Sequence, residues 1–331
     1  MFTIKSCGYK FAVIGGDARF LVAAARFHDE GHTVALYGFT DEHLSADPVV
    51  DMGCCSASTA KPREIIQNTA DGVCFDCGEV CKSPDEALED CDTVILPLPS
   101  TKDGVHISMP LGSERLTFDR LIEIMQRNGV RRVCGGKLPE TFAERCNSCG
   151  ISVFDYYKAE AFALANAVPT AEGALEIVMR ELPITVNGSN MLVIGNGRIG
   201  KELSRILSAL GAKVTVSARR EADLQMIAES RLVPAETGKL HLLLADTRFD
   251  AVFNTVPHRV LGERELSVMS KGTLIVDLAS KPGGVDVGAA DRLCHRVIWA
   301  LSLPGKVAPV TSGCIIANTV LSHMDELGEK G

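Results

Sequence analysis

Short apolar runs alternate with amphipathic stretches along the second half of the chain. Residues 190–195 form an apolar run that ends at a glycine, and residues 198–210 then carry leucine and isoleucine at helical spacing. Further apolar runs occur at 213–217, 250–254, 273–277 and 296–300, with helical patterns at 221–230 and 263–269. Strands that alternate with helices in this way predict a parallel sheet with helices on both faces.

The first half of the chain shows the same alternation of apolar runs and helical patterns, but the turn residues between them are less regularly spaced. An apolar run at 11–15 ends in two glycines, a helical pattern covers 17–30, and a strand pattern covers 33–37. Two more strands are predicted at 93–98 and 131–134, on either side of a helix at 115–128. The predicted fold class is therefore α/β, with two Rossmann-like doubly wound parallel-sheet domains, of which the C-terminal one binds the dinucleotide.

The predicted domains are an N-terminal substrate or lid domain over residues 1–165 and a cofactor domain over 166–310. Their junction falls in the segment 157–182, which has a helical pattern that Pro169 is expected to interrupt. A last helix at 311–328 has no strand after it, and we expect it to pack back on the first domain.

Composition and charge disfavour several classes of protein. With 46% hydrophobic and 23% charged residues, the 331-residue chain is expected to fold rather than to be disordered. Its net charge of −8 disfavours nucleic acid as a partner, because phosphates would be repelled. The first apolar run is too short for a signal peptide, and no run is long enough to span a membrane. We therefore expect a cytoplasmic protein.

Ten of the twelve cysteines precede residue 150. In a cytoplasmic protein they are expected to be reduced thiols. The spacings Cys74-x2-Cys77-x3-Cys81 and Cys146-x2-Cys149 suggest zinc, but the two groups are far apart and no histidine lies at a ligand spacing. We predict no metal site.

A glycine-rich turn follows the strand at 190–194. Gly195-Asn196-Gly197-Arg198-Ile199-Gly200 has the pattern G-x-G-x-x-G, in which the glycines allow a tight turn, a close pyrophosphate and close helix packing. The helix that starts here directs its free N–H groups and its dipole at the phosphates. This context favours dinucleotide binding over a purely structural turn.

The next strand ends in Ser217-Ala218-Arg219-Arg220, without the acidic residue that would bind an unphosphorylated ribose. A 2′-phosphate is recognised by guanidinium groups and repelled by carboxylates, so the sequence favours NADP over NAD. The alternative is that both arginines are solvated charges at a helix start.

Three further groups of residues follow strands on the expected cofactor edge. Thr255, Val256 and Pro257, with Asp277, Leu278 and Ala279, are predicted to contact the nicotinamide half, although turn formation alone could explain them. Ser280, Lys281 and Lys306 are candidate ligands of a substrate carboxylate, and His258 is a candidate for proton exchange. The alternatives are surface lysines and a structural histidine.

In the first half, candidate substrate residues lie where strands end. They are Gly16, Asp17 and Arg19 after the first strand, and Pro99, Ser100 and Thr101 after a later one. At the junction, Thr170 is a further substrate candidate and Glu172 a candidate proton acceptor, unless the two only belong to a helix start.

Seven segments, in order, resemble the family of dipicolinate synthase A subunits of spore-forming bacteria. They are residues 14–19, 169–173, 195–200, 218–219, 254–257, 277–284 and 303–309, so the similarity covers nearly the whole chain. The chain departs from the family pattern at Ser302, where glycine is usual, and at Val310, where lysine is usual. The departure at Val310 excludes a carboxylate contact there.

The resemblance implies oxidation of a dihydrodipicolinate, formed by dehydration of 4-hydroxytetrahydrodipicolinate, to dipicolinate with NADP, for sporulation. It also implies a partner, the B subunit of dipicolinate synthase, and a homo-oligomer is a further possibility. Formation of an aromatic ring requires positioning more than a strong acid or base.

Two alternatives remain open at this point. The chain could be a nucleotide-binding scaffold that activates a partner, since the sequence shows no obvious acid–base pair. It could also oxidise another small carboxylate, as the D-2-hydroxy-acid dehydrogenases of related fold do. Those enzymes use an arginine and a histidine where this chain has Ser280-Lys281 and Leu303-Pro304.

Overall fold

The computed structural model describes residues 8–40 and 78–328, which form two structural units. Unit 1 contains the described residues up to Ala163 together with those from Pro309 onward, and unit 2 runs from Leu164 to Ala308.

Unit 1 is built on a six-stranded parallel sheet with the strand order β3-β2-β1-β4-β5-β6. The strands are β1 (Lys10–Ile14), β2 (Thr33–Tyr37), β3 (Glu79–Val80), β4 (Thr93–Ile95), β5 (Arg132–Gly135) and β6 (Ser152–Asp155). Successive β1 residues point to opposite faces: Phe11 and Val13 enter one core, and Ala12 and Ile14 enter the other. Both faces are therefore buried, as an all-parallel sheet requires.

Helices cover both faces of this sheet. They are α1 (Ala18–Asp29), α2 (Pro84–Ala87), α3 (Phe118–Arg127), α4 (Glu140–Ser148), α5 (Glu160–Ala165, shared with the junction) and the C-terminal helix, here α13 (Pro309–Gly328). Asp17 caps α1 by accepting a hydrogen bond from the Arg19 N–H. Helix α13 packs tightly on α1, because Gly313 leaves space for the carbonyl of Arg19 and the side chain of Val22.

Unit 2 repeats the topology, with the strand order β12-β11-β10-β7-β8-β9, again all parallel. The strands are β7 (Asn190–Ile194), β8 (Lys213–Ala218), β9 (Val233–Glu236), β10 (Ala251–Asn254), β11 (Leu274–Asp277) and β12 (Arg296–Trp299). The order reverses at β7, between β8 and β10, and this is the point where doubly wound sheets bind ligands.

The helices of unit 2 are α6 (Ala167–Glu181), α7 (Arg198–Ala209), α8 (Glu221–Glu229), α9 (Leu240–Asp246), α10 (Glu263–Val268), α11 (Val287–Arg292) and α12 (Leu303–Val307). They enclose two cores: Met191 and Val193 face the one that includes α6 and α7, and Leu192 and Ile194 face the other. The predicted class of two doubly wound parallel-sheet domains is confirmed.

Some predicted elements differ from the structure. Pro169 does not interrupt a helix; it is the third residue of α6, where its missing N–H removes no helical hydrogen bond. The break instead falls at Asn166, between α5 and α6. The helix α9 and the short strands β3, β6 and β9 were not predicted from the sequence.

None of the helices in the described ranges is long and apolar enough to cross a lipid bilayer.

Candidate functional site

A cavity of about 840 Å³ lies at the carboxyl edge of the unit 2 sheet, where the strand order reverses. It extends from the glycine-rich turn after β7 to the end of β8 on one side and the loop after β10 on the other. Its lining residues are Gly195, Asn196, Gly197, Arg219, Arg220, Asp223, Thr237, Thr255, Val256, Pro257, His258 and Val260. The predicted cofactor residues of three separate loops thus meet in one cavity.

The three glycines of the turn are required for three different reasons. Gly195 has φ +104°, and a Cβ there would also lie 2.5 Å from Thr255 Oγ1. A Cβ on Gly200 would overlap the carbonyl oxygen of Gly195, so this glycine allows α7 to approach the turn. Gly197 is exposed, and nothing lies within 4 Å of where its Cβ would be. That free space is what a closely bound pyrophosphate needs.

Helix α7 begins directly at this free space. Its N-cap is Gly197, which offers no side chain to accept the first N–H groups of the helix. Arg198 is exposed and Ile199 is partly buried. Twelve residues of helix therefore direct their dipole at the cavity, and a phosphate there would accept the N–H groups that lack a helical partner.

The end of β8 supplies the opposite side of the cavity. Ser217 and Ala218 are buried, and the Ser217 hydroxyl oxygen accepts a hydrogen bond from Thr237 at 3.2 Å. Arg219 is exposed, lines the cavity and has no ion-pair or hydrogen-bond partner in the described ranges. The Arg220 guanidinium instead donates two hydrogen bonds to the Asp223 carboxylate, at 2.6 and 3.0 Å.

The loop after β10 forms the third side. Thr255 is fixed to β7, because both its N–H and its hydroxyl donate to the carbonyl of Ile194 at 3.0 and 2.9 Å. Val256 and Pro257 follow, and His258 is exposed and lines the cavity. This places His258, a predicted proton-exchange residue, in the same cavity as the glycine-rich turn.

Asp277, at the end of β11, points into the protein interior and is 2% exposed. Its carboxylate accepts hydrogen bonds from Asn254 Nδ2 at 2.7 Å and from the N–H groups of Ala279, Gly284 and Val285. Leu278 and Ala279 are also buried, and Trp299 donates its indole N–H to the Ala279 carbonyl. The sequence predicts cofactor contact for residues 277–279. In the structure the Asp277 carboxylate holds the neighbouring loop, and the Leu278 side chain packs in the core.

The predicted substrate residues of unit 2 lie on three elements. Ser280 is partly buried and Lys281 exposed in the loop after β11, and Lys306 is exposed on α12. Thr170 is buried on α6, where its hydroxyl donates to the Asn166 carbonyl at 2.7 Å, whereas Glu172 is exposed on the same helix. Neither Thr170 nor Glu172 is among the residues that line the cavity.

The predicted substrate residues of unit 1 gather at the carboxyl edge of its sheet. Gly16 has φ +113° and donates its N–H to the carbonyl of Ser108. The Arg19 guanidinium is buried, and it pairs twice with Asp17 at 2.8 Å and donates to the Leu98 carbonyl at 2.5 Å. Arg19 thus ties the start of α1 to the loop after β4.

That loop contains Pro99, Ser100 and Thr101. The buried Ser100 hydroxyl donates to the Lys137 carbonyl at 3.0 Å, and Thr101 donates to Asp103 at 3.2 Å. Lys137, which the sequence did not suggest, follows β5 with φ +56°, in the left-handed region that favours glycine. Its ammonium lies 4.6 Å from the centre of the Tyr157 ring.

Within residues 8–40 and 78–328, no three His, Cys, Asp or Glu side chains come together in a way that could hold a metal ion. Cys74 and Cys77 lie outside the described residues. Cys81 and Cys146 are buried, and Cys149 is exposed. Burial raises the pKa of Cys91, Cys134 and Cys146 to about 12, so these three thiols stay protonated at neutral pH.

A doubly wound sheet with a glycine-rich turn, an open helix N-terminus and a cavity at its strand-order reversal defines unit 2 as a dinucleotide-binding domain. In agreement, residues 170–283 match the NAD binding domain of the D-isomer specific 2-hydroxyacid dehydrogenases. The cofactor class is thus a nicotinamide dinucleotide, and the fold is that of an oxidoreductase.

Comparison of the whole chain gives the family. Residues 74–157 match the N-terminal domain of the dipicolinate synthase A subunit. The chain is 30% identical over 321 residues to the dipicolinate synthase A subunit from Bacillus subtilis (strain 168), covering 97% of each chain. It therefore belongs to the family of dipicolinate synthase A subunits, and the predicted resemblance is confirmed.

Solved structures agree with this assignment. The A chain of dipicolinate synthase from Bacillus subtilis superposes with a TM-score of 0.79 at 28% identity, covering 98% of this chain and 99% of that one. The dipicolinate synthase A subunit from Bacillus halodurans gives a TM-score of 0.78 at 26% identity, with 95% and 97% covered.

Three cavity residues, Asp223, Thr237 and Val260, were not predicted as site residues. Asp223 could have been found from the sequence, because a carboxylate three residues after Arg220 at the start of a helix can form an ion pair with it. No such signal exists for the other two: Thr237 starts a single turn of 3-10 helix after β9, and Val260 lies in a loop, and the local sequence does not determine the path of either segment.

Proposed function

We propose that this chain oxidises a dihydrodipicolinate, formed by dehydration of 4-hydroxytetrahydrodipicolinate, to dipicolinate with NADP+ as the oxidant. The similarity to a dipicolinate synthase subunit over 97% of the chain carries this proposal, and the cavity beside Gly197 supports it. The substrate loses a hydride and a proton and becomes an aromatic pyridine, and the cofactor, when bound, accepts the hydride.

NADP rather than NAD is supported by Arg219. This guanidinium lines the cavity at the end of β8, where the adenosine ribose binds in this fold, and no described carboxylate neutralises it. A 2′-phosphate would gain a charge-assisted contact there that NAD cannot make. Comparing NADPH and NADH affinities by calorimetry tests this, and tighter binding of NADH would overturn it.

The substrate needs cations and N–H groups for its two carboxylates. We propose the predicted substrate residues for this role, with Lys281 and Lys306 as exposed cations among them. Arg19 is proposed to act indirectly, because its guanidinium already binds Asp17 and the Leu98 carbonyl. The proton lost from the ring would go to His258 or Glu172, and the position of His258 on the cavity wall favours His258.

The deciding experiment combines the pure chain with 4-hydroxytetrahydrodipicolinate and NADP+, with and without its partner, the B subunit. We expect NADPH and the ultraviolet absorbance of dipicolinate to rise together, one NADPH for each dipicolinate. Production in neither mixture would refute the proposal. With the B subunit present, turnover that survives Gly197→Asp would show that this chain is a scaffold for chemistry done elsewhere.

A further inference from the structure

Beyond the free cation Arg219, the adenosine end of the cavity contains a second guanidinium and a carboxylate. Arg220 and Asp223 both line the cavity and form a bidentate ion pair. Arg220 Nε lies 2.6 Å from Asp223 Oδ2, and Arg220 Nη2 lies 3.0 Å from Asp223 Oδ1. Two positive charges and one negative charge therefore face the place where a 2′-phosphate would bind.

The two partners differ in how they are held. The Asp223 side chain is 14% exposed, whereas that of Arg220 is 80% exposed. The carboxylate is thus fixed against the protein at the start of α8, and the guanidinium lies over it from the solvent side. Arg220 is the predominant cause of the lowered pKa of Asp223, with a smaller contribution from Lys201, so the carboxylate is ionised at neutral pH.

We propose that Asp223 weakens the preference of this chain for NADP over NAD. Its carboxylate binds Arg220 and cancels the charge of that guanidinium, so that a 2′-phosphate interacts with the charge of Arg219 alone. This inference rests on the proposed NADP specificity. The carboxylate comes from the third residue of α8 and not from the end of β8. It therefore acts on Arg220 rather than taking the position of the usual ribose-binding acid.

The consequence is a weak discrimination between the two cofactors. A phosphate with a charge near −2 gains from each uncancelled cation beside it. A dicationic site would favour NADP strongly, but a site with one net positive charge favours it less. Release of Arg220 should therefore strengthen binding of a 2′-phosphate and leave a ligand without that phosphate unchanged.

The test measures the adenosine end alone, by calorimetry on the full-length chain at fixed salt and pH. The probes are adenosine 2′,5′-bisphosphate and AMP, which differ only in the 2′-phosphate. For Asp223→Asn we expect the bisphosphate to bind about tenfold more tightly and AMP to change less than about twofold, as the gain of one charge at close range predicts.

Two further variants complete a double-mutant cycle. Arg220→Gln leaves Asp223 without its partner and should weaken bisphosphate binding about tenfold. The double variant removes both charges and should return to within about threefold of the original chain. If Asp223→Asn proves unstable in a melting experiment, Asp223→Ser replaces it in the cycle. A direct contact between Arg220 and the phosphate would give the same loss in Arg220→Gln and in the double variant, and that result would overturn the proposal.

Glu221→Gln is the matched control. Glu221 lies on the same first turn of α8 and is exposed, but it does not line the cavity. Removal of this charge should change bisphosphate affinity less than about twofold, which separates an action through Arg220 from a general field effect.

Unchanged bisphosphate affinity in Asp223→Asn would overturn the proposal. A loss of AMP affinity in that variant would also overturn it, because Asp223 would then be binding ribose hydroxyls. Different results would show that the NADP proposal itself is wrong. In that case the original chain would bind the bisphosphate no more tightly than AMP, and Arg219→Gln would not change the affinity for the bisphosphate.

Discussion

Gly197→Ala should separate cofactor binding from stability. Gly197 is the middle glycine of the turn, and it has φ −80° and ψ −167°, which alanine adopts without strain. A Cβ at this position meets nothing within 4 Å. The methyl group would therefore project only into the space that we assign to the pyrophosphate.

The expected magnitudes follow from this geometry. Replacing glycine by alanine where the backbone is compatible stabilises a protein by about 0.4–1 kcal/mol, because the unfolded chain loses freedom. Gly197 is also the N-cap of α7, where alanine is less favourable than glycine by a similar amount, so the free energy of unfolding should stay within about 1 kcal/mol of its original value. A methyl group in contact distance of a bound pyrophosphate should in contrast weaken NADPH binding at least about 100-fold, or about 2.8 kcal/mol. Binding is thus expected to weaken strongly while stability changes little.

The assay measures the urea midpoint for stability and NADPH affinity by calorimetry. Gly200→Ala is the matched comparison, because its Cβ would overlap the Gly195 carbonyl oxygen and the fold itself should lose about 1–3 kcal/mol. If Gly197→Ala binds NADPH as tightly as the original chain, the pyrophosphate does not lie at this turn and the assignment of the cavity is wrong.

Three further predictions concern stability. Ser302→Gly should stabilise by up to about 1 kcal/mol in urea unfolding, because Ser302 has φ +59° and the left-handed conformation disfavours a side chain; a destabilised variant would contradict this. Arg19→Lys should destabilise by about 1–3 kcal/mol in the same assay, because the buried Leu98 carbonyl loses its donor; an unchanged midpoint would show that the contact is dispensable. Burial lowers the pKa of His32 from its ordinary 6.5, so the unfolded chain binds a proton first as the pH falls. Stability should therefore hold above pH 6.5 and decline below it, and His32→Asn should reduce that decline in melting curves taken from pH 7 to 5.

The glycine-rich turn could be identified from the sequence because its chemistry is local. The spacing of Gly195, Gly197 and Gly200 is set by one turn and one helix start, and the structure places each where that pattern requires. Strand alternation likewise identified both sheets, since a buried parallel strand reads as an apolar run. The strands β3, β6 and β9 were missed because they are short and none of their residues is fully buried.

Whether a charged side chain is free or paired could not be predicted from the local sequence. Arg219 and Arg220 are adjacent and identical in the sequence, yet one is a free cation and the other is neutralised by Asp223. Arg19 looked like an anion ligand after a strand, but burial and the Leu98 carbonyl make it a structural contact. The difference lies in partners that come from other elements, and local sequence does not specify them.

Asp277 has a role in the structure that its position at the end of a strand does not reveal. Its place at the end of β11 suggested contact with the cofactor, whereas its carboxylate gathers Asn254 and three loop N–H groups inside the protein. Asn254 in turn binds both the N–H and the carbonyl of Val256, a residue of the cavity wall. A buried carboxylate that is fully hydrogen-bonded holds its surroundings rigidly. Since hydride transfer depends chiefly on placement, a wall fixed in this way would serve the reaction without touching the reacting atoms.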